Sequence, residues 1–192
     1  MKEFLLEKLN HSIEAKQKLV ETQSETIIAL AKLMAEIFQN GNKLLIFGNG
    51  GSAADAQHMA AEFVNRFMMD RAPLAAIALT TDTSNLTSIG NDFSFDEIFV
   101  KQVQALGKPG DLVMGISTSG NSPNVIQAIR YAASHEMKTV VLTGGTGGHL
   151  AELAEIVVNV PVTTTPHIQE AHLFVEHVLC WLVDEILFGK FR

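Results

Sequence analysis

The stretch 44–62, LLIFGNGGSAADAQHMAAE, constrains this chain more than any other. Leu44, Leu45, Ile46 and Phe47 form an unbroken apolar run, the pattern of a short strand covered on both faces. Gly48-Asn49-Gly50-Gly51 follows, a turn in which backbone N–H groups lie open for want of Cβ atoms. Ser52 then reads as a helix cap, with Asp55 three residues on in a capping-box position. A glycine loop ahead of a helix N-terminus is an anion cradle, and it also serves as a plain strand-to-helix turn. Further along, His58 and Glu62 are four apart and share one helix face.

The strand–helix unit repeats. Apolar runs predict strands at 43–47, 74–79, 111–116, 138–143 and 156–160. Helical patterns fall at 52–68, about 83–90, 95–106, 122–135, a short stretch near 148–154, and about 166–188. This alternation gives an α/β fold, a three-layer sandwich with a five-stranded parallel sheet flanked by helices, and places ligands outside the carboxyl ends of the strands. Ahead of it, 3–20 reads as an amphipathic helix with Leu6, Leu9, Ile13 and Val20 near one stripe. Thr22-Gln23-Ser24-Glu25 is a capping-box pattern for a second helix. Ile27, Leu30, Met34, Ile37 and Phe38 form its apolar face, and Asn40-Gly41-Asn42 ends it. The chain therefore reads as one domain over 1–192, with 1–40 as an N-terminal helical extension that covers its own sheet or packs on another subunit.

Composition narrows the function classes. Fourteen basic against 21 acidic residues give a net charge of −7, which argues against nucleic acid or an anionic membrane as the main partner. The lone cysteine, Cys180, sits in an apolar helical run and reads as a buried thiol. No disulfide is available within the chain, and neither a signal peptide nor a membrane span is apparent, so a cytoplasmic location is expected.

A second loop repeats the character of the first. After the apolar 112–116, Ser117-Thr118-Ser119-Gly120-Asn121-Ser122-Pro123 presents hydroxyls and free backbone at a strand's carboxyl end. Pro123 suits the first turn of the next helix, with Ser122 as its cap. Two such loops on one sheet point to a phosphate or sugar. The first also matches G-x-G-x-x-A, yet no acid stands at the end of the second strand to hold a ribose, which disfavours a nicotinamide oxidoreductase. By spacing alone, Asn91-Asp92 reads as a turn, and Thr80-Thr81-Asp82-Thr83 as a cap or a ligand contact. His58 with Glu62 is by pattern a surface pair. Together with Gln169 and His177 at the start of the last helix, it would make an N₂O₂ set acceptable to zinc, if the two helices meet. His11, His135 and His149 read as surface or loop residues.

Taken in order, four motifs resemble the bacterial phosphoheptose isomerases of the sugar isomerase (SIS) family over essentially the whole chain. They are the glycine loop with its His-x-x-x-Glu, Gly90-Asn91-Asp92-Phe93, Ser117 to Ser122, and Ile168-Gln169-Glu170-x-His172 with His177. The resemblance implies conversion of D-sedoheptulose 7-phosphate to D-glycero-D-manno-heptose 7-phosphate through an enediol, for lipopolysaccharide core heptose. It implies zinc on His58, Glu62, Gln169 and His177. It further implies catalysis by Glu62 and His177, and substrate contacts from Asn49, Gly50, Gly51, Glu62, Asn91, Asp92, Ser117, Thr118, Ser119, Ser122 and Gln169. A homotetramer with active sites at subunit interfaces is implied as well. The position before Ile168 is usually Arg in that family and is His167 here, while Arg66 matches. A non-catalytic SIS protein that associates with the replication initiator is similar too. Its pattern lacks the acid at Glu62 and the imidazole at His177, both present here.

Overall fold

The computed structural model describes residues 1–189. Five strands form one parallel sheet: β1 (Leu44–Gly48), β2 (Ala76–Ala78), β3 (Leu112–Ser117), β4 (Lys138–Gly144) and β5 (Ile156–Val160), in the order β2-β1-β3-β4-β5. The strands are β-branched and leucine-rich, and β1 and β3 are buried at every position, as a sheet covered on both faces requires. Alternate side chains feed two cores. Leu44, Ile46, Leu112, Met114 and Ile116 face one side, while Leu45, Phe47, Val113 and Val141 face the other.

Among the described residues, six α-helices cover the sheet: α1 (Lys2–Gln39), α2 (Gly51–Val64), α3 (Thr83–Asp92), α4 (Val100–Leu106), α5 (Pro123–Ala133) and α6 (Thr165–Phe188). α1, α2 and α6 share the first core; α4 and α5 share the second. The strand order reverses between β1 and β3, because the chain leaves β1 toward β2 and returns on its other side. Loops leaving β1 and β3 therefore diverge, and their carboxyl ends open a crevice, the usual ligand position in such sheets.

Several local expectations give way to the structure. α1 is one continuous helix, not two. Thr22 Oγ1 donates back to Lys18 O at 2.7 Å and Ser24 Oγ to Val20 O, so these hydroxyls satisfy themselves inside the helix instead of capping a new one. Its first half buries Ser12, Ala15 and Leu19, and the predicted stripe of Leu6, Leu9, Ile13 and Val20 is exposed. The second half buries Ile27, Leu30, Met34 and Ile37 as expected. The 95–106 segment is a 3-10 turn (Phe95–Glu97) followed by α4, and the short helix near 148–154 is a 3-10 turn (His149–Glu152). Asn91 and Asp92 end α3 rather than forming a separate turn, and Asp82 caps it by accepting from Asn85 N at 3.0 Å.

Candidate active site

The loop after β1 is built around Gly50, whose φ of +57° is a left-handed conformation. Gly50, and not Ser52, is the N-cap of α2. Ser52 is buried under the helix and caps nothing, and Asp55 makes no capping bond. The side chain of Asn49 leaves this loop toward β3. There it meets Asn124, in the first turn of α5, in a reciprocal pair: each carboxamide donates to the other's oxygen at 2.9 Å. Beside Asn49 and Gly50 lies a cleft of about 160 Å³, walled by Thr80, Leu86, Phe95 and Phe99.

The loop after β3 is held by its own hydroxyls. Ser117 Oγ and Ser122 Oγ are 3.0 Å apart. Ser122 occupies the N-cap position of α5, but its hydroxyl turns to Ser117 and makes no cap bond. Ser119 Oγ accepts from Asn121 N at 3.2 Å, and Asn121 Oδ1 accepts from His149 N at 3.0 Å. Gly120, with φ +66°, packs onto the backbone of Gly147 and Gly148, where a Cβ would collide with the Gly147 carbonyl. The loops after β3 and β4 are thus locked together, with Thr118 and Ser119 toward solvent. Asn91 and Asp92 are exposed at the end of α3, with Asn91 Nδ2 donating to Asp92 Oδ1 at 2.9 Å.

Helices α2 and α6 do meet. His58 Nε2 and His177 Nε2 are 2.8 Å apart, and Glu62 Oε1 is 3.7 Å from His58 Nε2. At that separation one ring donates and the other accepts, so the two are not both cationic. Partial burial, and then the neighbouring His58, lower the pKa of His177 from its ordinary value, and Glu62 opposes this. Phe67 stacks on His177 at 5.5 Å between centroids, with Trp181 edge-on behind it. Gln169 lies at the other end of the α2–α6 contact. Its carboxamide rests on Gly51, where an added Cβ would come within 2.5 Å of Nε2. Eight residues of α6, about 12 Å of rise, separate it from His177.

Among the described residues, no group of three His, Cys, Asp or Glu stands in ready coordination geometry. The donor chemistry nevertheless fits zinc, since two imidazole nitrogens and a carboxylate converge. Two nitrogens on one tetrahedral ion at about 2.0–2.1 Å stand roughly 3.3 Å apart. The imidazoles need to separate by about half an ångström from their mutual hydrogen bond.

Sequence reasoning missed the supports of this cluster. Arg71, 2 % exposed in its side chain, donates to Glu62 O (3.0 Å) and Phe63 O (2.7 Å) at the end of α2 and through Nε to Asp184 on α6 (2.9 Å). It satisfies carbonyls that a helix end leaves orphaned and ties Glu62's turn to α6. Glu176, next to His177, is fully buried with both oxygens unpartnered among the described residues; burial and then Asp55 push its pKa well up, so it is held neutral. Asp55, half-buried, is raised by burial, against His58. No motif flags Arg71 or Glu176, and the capping-box pattern gives Asp55 a different role from the one it has, because all three act through helix packing. His167 is buried, 3.4 Å from Glu170 and edge-on to His11, and Arg66 is exposed beyond α2.

The SIS domain family matches residues 9–144. The chain belongs to the SIS domain family. It is 50 % identical over 187 residues to the phosphoheptose isomerase of a Roseiflexus species, covering 97 % of this chain and 95 % of that protein. With the phosphoheptose isomerase of Shewanella loihica it shares 51 % identity over 193 residues, covering 99 % and 98 %. The solved phosphoheptose isomerase of Neisseria gonorrhoeae superposes with a TM-score of 0.90 at 46 % identity, covering 96 % of this chain and 98 % of that one. The SIS fold with its parallel sheet and long N-terminal helix is therefore present. No helix among the described residues is long and apolar enough to cross a membrane.

Proposed function

We propose that this SIS chain is a phosphoheptose isomerase, converting D-sedoheptulose 7-phosphate to D-glycero-D-manno-heptose 7-phosphate for lipopolysaccharide heptose. The convergence of Glu62, His58 and His177 carries the chemical side of the reading, and the full-length relatives carry the substrate. Seven residues of α2, about 10 Å of helix rise, separate Gly51 from His58. That span suits an extended sugar phosphate with its phosphate near the glycine and serine loops and its C1–C2 end near the imidazoles.

The reaction moves a proton from C1 of the ketose to C2, while O2 gains a proton and O1 gives one up. Glu62 takes the proton from C1 and returns it to C2. His177, with a lowered pKa and an Nε2 that already exchanges a hydrogen bond, carries the proton between the two oxygens. Asn49, Gly50, Gly51, Ser117, Thr118, Ser119 and Ser122 bind the phosphate and hydroxyls, with Asn91, Asp92 and Gln169 completing the contacts. Zinc held by His58, Glu62 and His177 would order this end of the site and supply Lewis-acid stabilisation of the oxygen that becomes negative, provided that Glu62 and His177 are off the ion while they carry protons. Gln169, the fourth donor that the resemblance implies, rests against Gly51 at the phosphate end of this chain. Phe67 packs on the His177 ring at this end of the site, with Trp181 edge-on to Phe67.

The exposed Phe4, Leu5, Leu6, Leu9, Ile13 and Val20 on α1 favour association with other copies of the chain, and we take this assembly to be a cytoplasmic homotetramer with active sites at subunit interfaces. Turnover of sedoheptulose 7-phosphate tests the proposal. Conversion should fall after chelation and return with zinc. Conversion indifferent to chelation would remove the metal from the account, and none by folded, zinc-loaded protein would overturn the isomerase.

A further inference from the structure

Asn124 belongs to none of the motifs discussed above, yet it is 1 % exposed and makes three hydrogen bonds. Its Oδ1 accepts from Val125 N at 2.9 Å and from Asn49 Nδ2 at 2.9 Å, and its Nδ2 donates to Asn49 Oδ1 at 2.9 Å. A reciprocal carboxamide pair alone does not say which atom is nitrogen, since flipping both ends preserves the pairing. The Val125 N–H removes that ambiguity, because a main-chain donor accepts only an oxygen opposite it. It fixes the orientation of Asn124, and Asn124 in turn fixes that of Asn49. Asn49 is left with one free N–H and one free lone pair in set directions, at the mouth of the crevice between β1 and β3.

We propose that Asn124 is a positioning residue. It orients the Asn49 carboxamide for the substrate and holds the loop after β1 at a fixed distance from the helix that follows the serine loop. The inference rests on Asn49 contacting substrate, as in the proposed function. The physical case is one of pre-organisation. Asn49 stands in a solvent-accessible glycine loop with Gly50 in a left-handed conformation, and an unrestrained side chain there would lose rotamer freedom on binding. Asn124 has already fixed it, from a buried first turn anchored by the core residues Val125, Ala128 and Ile129.

The test is Asn124→Asp. The aspartate keeps both accepted bonds and loses only the donated one, leaving a carboxylate oxygen facing Asn49 Oδ1. Steady-state kinetics on sedoheptulose 7-phosphate should show KM raised about tenfold with kcat changed far less, the loss of about one hydrogen bond's worth of binding. Asn49→Ala should raise KM as well, and adding Asn124→Asp to it should cost nothing further, because the residue that Asn124 acts through is gone. A merely structural Asn124 would give losses that multiply in the double variant, and that result overturns the proposal. An unchanged KM in Asn124→Asp, with KM raised in Asn49→Ala, also overturns it and leaves the substrate role of Asn49 standing. An unchanged KM in Asn49→Ala removes that role and the inference with it. If Asn124→Asp unfolds, as judged by Tm, Asn124→Ala, which deletes all three side-chain bonds without adding charge, is read in the same cycle.

Discussion

His172 is the clearest case in which the fold sets a pH dependence that can be measured. The ring is fully buried in α6, and its Nε2 donates to Thr143 O at 3.0 Å, at the end of β4. The proton therefore sits on Nε2, and Nδ1 is a buried, bare nitrogen without a partner among the described residues. Protonating it would put a charge in the core, so burial lowers its pKa from 6.5 to about 4, with the Thr143 bond opposing. The folded value lies below the unfolded one. The stabilising effect of keeping this ring neutral is thus complete above pH 6.5 and is lost as pH falls toward 4. At about 1.36 kcal/mol per pH unit, the full gap is worth about 3 kcal/mol. His172→Gln keeps an N–H for Thr143 O and does not titrate. Urea unfolding of both proteins at one protein concentration, from pH 7.5 to 4.5, should show the parent losing roughly 2–3 kcal/mol more than the variant. Parallel pH profiles would refute the reasoning.

Other outcomes follow from the same packing. Asp184→Asn leaves the buried Arg71 guanidinium without its carboxylate and should cost about 3–5 kcal/mol in chemical denaturation. Glu62→Gln and His177→Gln should each lower turnover by about 10²–10⁴-fold with Tm held near the parent value. Near-normal turnover in either variant would remove that residue's role. Charged replacements of Leu6, Leu9 and Ile13 should shift light-scattering mass from that of the proposed tetramer toward smaller species; an unchanged mass would separate assembly from this face of α1.

Much of the fold was legible because buried parallel strands are short, unbroken apolar runs bounded by glycines. Leu44–Phe47 and Leu112–Ile116 announce themselves on those grounds. Helix ends were less legible. Thr22–Glu25 carries a helix-start pattern, yet nothing there breaks the helix, and its hydroxyls bond back within α1. Ser52 looks like a cap, but Gly50 reaches that position by a backbone conformation that sequence spacing does not reveal. Within the site, His58 and Glu62 were visible as an i, i+4 pair, and the structure supplies what spacing could not, the approach of His177 from α6. Asn124 and Arg71 stayed hidden because each acts across 75 and 113 residues of chain, through Asn49 and Asp184 respectively. Only the parallel order with β1 beside β3, and the packing of α2 on α6, brings those partners together.

The most direct test of the account follows sedoheptulose 7-phosphate by NMR with the zinc-replete protein in deuterated water. Transfer of the C1 proton to C2 by Glu62 predicts an aldose 7-phosphate that carries the C1 hydrogen at C2, with solvent deuterium replacing it in those turnovers in which the Glu62 carboxyl exchanges before reprotonation. Absence of the aldose would contradict the account, and an aldose formed equally fast by Glu62→Gln would contradict the role of Glu62.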